Sequence, residues 1–347
     1  MSAEPSAVHL PLLRLPLLTL YVSERCNSRC VTCDYWRHGR VDMGLESIVR
    51  LLPGLEQLGT QVVMLSGGEP LLNPEWESIA QLLRSKGLKV WLLTSGLSLA
   101  KHARAAAQLF DAITVSLDGT DRETYAAIRG LDAFDKVCEG IRAAAGHGVA
   151  PGLRVTLQRS NYRQLPAFIE LARTLGAARV SFLAVDVANP HAFGRGDAFG
   201  AEMALREQDL PILDELLRDL ERDRAPDFRS GFIAESPQKL RHILQYFAAI
   251  CRRAAYPPVR CNAPEFSAVI AANGRVQPCF FIPGPLDAPP VADFPQALNS
   301  GPMSALREEI RAGGRRECRT CVCSMWRDPA GVGASLLPPR FASGTST

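Results

Sequence analysis

No stretch of this 347-residue chain is apolar for long enough to span a bilayer. The segment from Leu10 to Val22 comes nearest, and Pro11, Arg14 and Pro16 break it. The opening MSAEPSAVHL lacks the basic n-region of a secretory signal, so a cytoplasmic chain with no membrane partner is expected. Charge of one sign is missing as well: 39 Lys and Arg against 36 Asp and Glu leave +3. With no run of like charge, no nucleic-acid partner is expected. Lysine is scarce, limited to Lys86, Lys89, Lys101, Lys136 and Lys239, a bias that genome composition explains as well as function. Cysteine is not scarce. Ten cysteines without an export signal point to thiols that serve metals rather than disulfides.

Residues 17 to about 185 alternate between short apolar segments and amphipathic ones. Strands are expected at Leu17–Ser23, Gln61–Ser66, Leu88–Thr94, Ala112–Leu117, Gly152–Gln158 and Ala178–Val185. Helices are expected at Leu45–Leu58, Glu75–Lys86, Lys101–Phe110, Ala133–His147 and Leu165–Leu175. Such alternation makes an α/β fold with a parallel sheet and right-handed crossovers, here a partial (β/α)6 barrel. After Asp186 come a Gly- and Phe-containing loop and two helical stretches, Arg206–Arg222 and Pro237–Arg253. Beyond Pro257-Pro258, two strand-like pieces (Phe266–Ala271 and Arg275–Pro278) flank Asn273-Gly274, a hairpin signal. A proline-rich loop from Pro283 to Pro295 precedes a short helix, Met303–Arg311. The expected organisation is an N-terminal extension (1–16), a barrel core (17–230), a small Cys-rich unit (231–327) and a loose tail (328–347).

Cys26, Cys30 and Cys33 follow the first strand with the spacing C-x3-C-x2-C. A [4Fe–4S] cluster takes four cysteines, so three leave one iron open. An open position separates a catalytic metal from a closed structural one. Ligand sites in parallel α/β folds lie at the carboxyl ends of the strands, where this triad falls. Ser66-Gly67-Gly68-Glu69-Pro70 ends the second strand and Ser116-Leu117-Asp118-Gly119 the fourth.

With these motifs the chain resembles the radical SAM enzymes that carry a C-terminal twitch or SPASM-type auxiliary-cluster domain, over residues 17 to about 325. The resemblance implies that Cys26, Cys30 and Cys33 hold a [4Fe–4S] cluster whose open iron chelates S-adenosylmethionine. Reductive cleavage would then give a 5′-deoxyadenosyl radical that takes hydrogen from the substrate. The cofactor does the chemistry and the protein aims it. Gly67 and Gly68 would let backbone approach the methionine amino group, with Glu69 beside them. Ser116 and Leu183 match further SAM contacts, and the Arg129 guanidinium matches a partner of the SAM carboxylate. Thr32 stands where the family often has an aromatic at the adenine, leaving Tyr35 or Trp36 to stack. Thr94-Ser95-Gly96 replaces the usual T-N-G.

Cys261, Gly274 and Cys279 fit the C-x9-15-G-x4-C opening of twitch and SPASM domains, and Cys318-x2-Cys321 completes four thiolates. One closed auxiliary cluster, taken as [4Fe–4S], is expected, with zinc on the same cysteines as the alternative. Cys323 and Cys251 are alternative ligands, whereas Cys138 reads as a core thiol. His191 and Arg195, in the loop after the sixth strand, are candidate substrate contacts. The resemblance implies a flavodoxin- or ferredoxin-type electron donor and a peptide or small-metabolite substrate. Sulfatase-type maturases place an acidic residue after the second auxiliary cysteine. Phe280 stands there, so that chemistry is not expected. The competing class, a non-catalytic iron–sulfur carrier on the same fold, needs neither the GGEP string nor the Ser-Leu-Asp-Gly string.

Overall fold

The computed structural model describes residues 11–194, 200–285 and 293–328. The first ten residues, Arg195 and the tail beyond 328 lie outside the described residues.

The six expected strands form, each within about a residue or two of its expected bounds: β1 (Leu17–Ser23), β2 (Val62–Gly67), β3 (Lys89–Thr94), β4 (Ala112–Ser116), β5 (Gly152–Leu157) and β6 (Arg179–Ala184). They pair in parallel, in chain order. The first helices are α1 (Tyr35–His38), α2 (Leu45–Gln57), α3 (Trp76–Ser85), α4 (Leu99–Leu109), α5 (Arg122–Arg129), α6 (Phe134–Gly146) and α7 (Leu165–Thr174). After β6 come α8 (Leu210–Asp223), α9 (Ala225–Ser230), α10 (Pro237–Ile250), α11 (Phe294–Leu298), α12 (Gly301–Arg311) and α13 (Arg316–Arg319). Alternation sorts each strand between two environments. Val90 and Leu92 of β3 join the main core under the helices. Trp91 faces the other way, toward an inner cluster of Leu17, Val62, Ala263 and Phe266.

The hairpin is β7 (Ser267–Ile270) and β8 (Val276–Gln277), turned at Gly274 with φ +83°. It does not stand alone. β7 pairs in parallel with β1, Leu17 opposite Ser267, giving an eight-stranded sheet in the order β6-β5-β4-β3-β2-β1-β7-β8. β1 is thereby flanked on both sides, and all seven of its residues are buried, as an interior parallel strand requires.

The β6 edge is covered by the segment before α10. Val180 N–H donates to the Phe232 carbonyl (2.7 Å), Ala234 N–H to the Val180 carbonyl (2.9 Å), and Phe182 N–H to the Glu235 carboxylate (2.7 Å). Without that cover β6 would offer free backbone groups to another chain. The expected 231 boundary thus falls in a segment paired to the barrel edge.

Candidate functional site

The cysteine loop leaves the carboxyl end of β1 and is pinned from three sides. Gly68 N–H donates to the Ser23 carbonyl (2.8 Å) and Glu69 N–H to the Arg25 carbonyl (2.7 Å). Arg29 and Val31 N–H donate to the carbonyls of Arg129 (3.0 Å) and Ile128 (2.9 Å), at the end of α5. Asp34 N–H donates to the Phe193 carbonyl (3.0 Å). A Cβ on Gly68 would lie 2.3 Å from the Arg25 oxygen, and one on Gly130 would lie 2.3 Å from the Arg29 oxygen. Sequence reasoning assigned the GGEP glycines to the ligand. In the structure their bareness is used first to seat the cysteine loop. Gly67 and Gly68 also line a cavity of about 210 Å³ with Tyr21, Ser23, Tyr35 and the hairpin turn.

Cys30 is buried, and Cys26 and Cys33 are half-buried. Burial pushes the Cys26 thiol up to about 11 and the Cys33 thiol up to about 12. A bound cation reverses that preference, because metal binding takes up thiolate and releases the proton. Arg129, at the end of α5, points at this loop: its Nη1–H donates to Cys30 Sγ (3.4 Å) and its Nε lies 2.9 Å from Asp118 Oδ2. Burial opposes the guanidinium charge, but Asp118 and then Cys30 outweigh it and hold the group above its ordinary value. The sequence assigned Arg129 to the SAM carboxylate, and the structure shows a fork already engaged by Asp118 and Cys30.

Glu69 is fully buried, and its carboxylate accepts from Thr94 Oγ1 (2.7 Å), Ser95 N–H (2.7 Å), Ser95 Oγ (2.6 Å) and Leu71 N–H (3.1 Å). Ser95 Oγ also lies 3.2 Å from Asn27 Oδ1, so this serine links the GGEP turn to the cysteine loop. Thr32 sits in the loop between the last two cysteines and Tyr35 opens α1. Ser116 ends β4 opposite Arg154 of β5, and Leu183 is buried near the end of β6.

The second cysteine set converges: Cys261, Cys279, Cys318, Cys321 and Cys323 line one apolar pocket with Pro264, Phe281, Ile282 and Met325. Burial pushes Cys279 up to about 12 and Cys318 up to about 11, and raises Cys321 well above the thiol range. Cys323 lies 3.8 Å from Nη2 of Arg154, whose Nη1–H donates to Ser181 Oγ (2.6 Å). Arg154, on β5 opposite Ser116, went unassigned in the sequence. Cys251 stands apart at the end of α10, donating to the Leu205 carbonyl (3.3 Å). His191 lies 3.7 Å from Glu317 Oε1, beside Cys318. Cys138 is buried in the main core.

The donor chemistry fits clusters at both sets. Among the described residues no three His, Cys, Asp or Glu gather as ligands of one metal ion. A cluster spreads its cysteines over several irons and needs no such gathering. Buried donors without a protein acceptor occur at both sets: Ser28 Oγ inside the first loop, and Thr320 Oγ1 between Cys318 and Cys321. Buried hydroxyls without partners are costly unless something accepts from them, and cluster or thiolate sulfur would do so.

A family model described as the radical SAM superfamily matches residues 20–172. The chain is 29% identical over 211 residues to the Fe-coproporphyrin III synthase of Methanosarcina barkeri, covering 58% of this chain and 51% of that protein. It is 28% identical over 249 residues to a probable GTP 3′,8-cyclase of Saccharolobus islandicus, covering 68% and 78%. The match thus spans about half the length of the first of these relatives. In backbone it is similar to Streptococcus suis SuiB bound to S-adenosylmethionine, with TM-score 0.66 and 15% identity over 92% of this chain and 74% of that one. It is also similar to anSMEcpe with bound AdoMet and Cp18Cys peptide, with TM-score 0.64 and 18% identity over 90% and 89%. At such identities these structures establish likeness of fold. Among the described residues no helix is long and apolar enough to cross a membrane.

Proposed function

Because the chain belongs to the radical SAM superfamily of enzymes, we propose that it cleaves S-adenosylmethionine at a cluster on Cys26, Cys30 and Cys33 and uses a second cluster to oxidise or cross-link its substrate. The observation that carries this reading is the convergence of Cys261, Cys279, Cys318, Cys321 and Cys323 on one pocket, one strand away from the triad's loop. Cys261, Cys279, Cys318 and Cys321 are the proposed ligands, and Cys323 is the spare thiol facing Arg154. When bound, the first cluster and SAM supply a 5′-deoxyadenosyl radical that removes a substrate hydrogen. The residues of the chain position this chemistry. Gly68 and Gly130 seat the cysteine loop, and Glu69, Thr94 and Ser95 clamp the turn after β2. Arg129 donates to Cys30 Sγ and so orients this thiol. Tyr35, Ser116 and Leu183 remain candidate SAM contacts on the strand ends and α1.

A small-metabolite substrate is favoured by the names of the sequence relatives, an Fe-coproporphyrin III synthase and a probable GTP 3′,8-cyclase. A peptide substrate is favoured by SuiB bound to precursor peptide SuiA and by anSMEcpe with its bound peptide. A flavodoxin- or ferredoxin-type donor would supply the electron. Anaerobic reconstitution followed by iron, sulfide and 5′-deoxyadenosine assays tests the reading. About eight irons and reductant-dependent 5′-deoxyadenosine are expected, about four irons would remove the auxiliary cluster, and no SAM cleavage would remove the activity.

A further inference from the structure

Tyr21 lies on β1, between the two cysteine sets. Its side chain is buried, and its ring packs edge-on against Tyr35 (centroids 5.6 Å, 67°). It also packs tilted against Phe280 (6.5 Å, 38°). Tyr35 is two residues from Cys33, and Phe280 follows Cys279 directly. Three rings therefore run from the edge of one thiol set to the edge of the other. Burial raises the Tyr21 phenol well above the ordinary range, Tyr35 adds to this, and Cys33 and Cys279 push the same way. Phe280 sits in the turn closed by the Cys279–Ile282 bridge, just after β8, whose hairpin partner β7 pairs with β1.

We propose that Tyr35, Tyr21 and Phe280 form an aromatic bridge that couples the two clusters for electron exchange. This rests on the two-cluster reading above. The step moves one electron: one cluster is oxidised by one electron as the other is reduced by one, and no proton or atom moves. The rings stay closed-shell. Their packing supplies a continuous path where aliphatic side chains of smaller reach would leave gaps. Tyr21 is thus a positioning residue for electron transfer, and its ring rather than its hydroxyl carries the role.

The test uses the full chain, reconstituted anaerobically, with one electron per protein delivered by flash photoreduction. Redistribution of the unpaired electron between the two cluster signals is followed by time-resolved EPR. Tyr21→Leu and, independently, Phe280→Leu are expected to slow redistribution severalfold at unchanged iron and sulfide content, while Tyr21→Phe keeps the wild-type rate. Wild-type rates in both Leu variants with both clusters present overturn the bridge alone. A Tyr21→Phe variant as slow as Tyr21→Leu overturns the role of the ring in favour of the hydroxyl. Only about four irons in the wild-type protein overturns the two-cluster reading itself, and the bridge falls with it.

Discussion

Arg129→Met tests whether the buried ion pair organises the cysteine loop. The side chains of Arg129 and Asp118 are 10% and 3% exposed, so neither charge has water to fall back on. Met keeps most of the length and apolar volume of Arg, which isolates the charge from the packing. Removing one partner of a buried pair leaves the other uncompensated, at about 3–5 kcal/mol. Asp118 retains the Thr156 N–H (2.7 Å), which offsets about 1 kcal/mol. The net loss is therefore about 2–4 kcal/mol at neutral pH, a large part of the roughly 5–15 kcal/mol that holds a domain. Urea unfolding of the metal-free protein measures it. The pH dependence has a definite sign. Burial already raises the Asp118 carboxyl above its ordinary value, against Arg129 and the Thr156 N–H. A group whose folded value is raised contributes stability below its unfolded value and loses it as pH rises through the folded value. Removing Arg129 moves the folded value further up. The cost of the substitution should therefore shrink as pH falls and Asp118 takes up a proton. Adding Asp118→Asn should recover most of the loss at neutral pH. A cost below about 1 kcal/mol, the level of an exposed pair, would refute the reasoning, as would a cost independent of pH.

Gly130→Ala places a Cβ in left-handed backbone (φ +74°), 2.3 Å from the Arg29 oxygen. The strain of about 1–2 kcal/mol and the displaced carbonyl should lower both the thermal midpoint and the iron retained after reconstitution. A variant that holds wild-type iron would show that the loop does not need α5. Glu69→Gln replaces an acceptor of four donors with a group that must itself donate. It should cost about 1–3 kcal/mol in chemical denaturation, and an unchanged midpoint would mean that the clamp relaxes freely.

Much of the barrel was legible because its signals are local. Leu17–Ser23 and Lys89–Thr94 are short apolar runs bounded by turn residues, and the strands form there. α5 was harder: it spans only Arg122–Arg129 and is strongly polar. Its caps were visible, with Asp121 accepting from Thr124 N–H (2.8 Å) and Gly130 turning left-handed, but a short polar helix has little periodicity to read. The cysteine spacings announced metal chemistry, whereas the partners of Arg129 did not show. Asp118 is eleven residues away in sequence and Cys30 ninety-nine. Arg154 shared that fate, since its contact with Cys323 joins β5 to a segment 169 residues later.

The pairing least visible in the sequence explains the arrangement of the rest. β7 reads as half of a local hairpin, and Asn273-Gly274 does turn it. Its other edge, however, is hydrogen-bonded to β1, some 250 residues earlier. Closing so long a loop costs only slowly more entropy than closing a shorter one, and the return is large. Without β7, β1 would be an open edge, and Leu17 and Val62 would lose Ala263 and Phe266 from their cluster. The hairpin is thus held by the same burial that holds the barrel. That burial fixes where the thiols stand. Cys26 comes three residues after the end of β1, and Cys279 two residues after the end of β8. Strands of one sheet, β1 and the β7–β8 hairpin, therefore lead into the triad and into Cys279, and the ring of Tyr21 on β1 packs against Tyr35 and Phe280 beside them. The placement of Cys279 relative to the triad therefore follows from the pairing of the hairpin with β1. A change that shifts β7 by one residue would also turn its buried side chains to the opposite face of the sheet, so the placement of Cys279 relative to the triad is protected by the core itself.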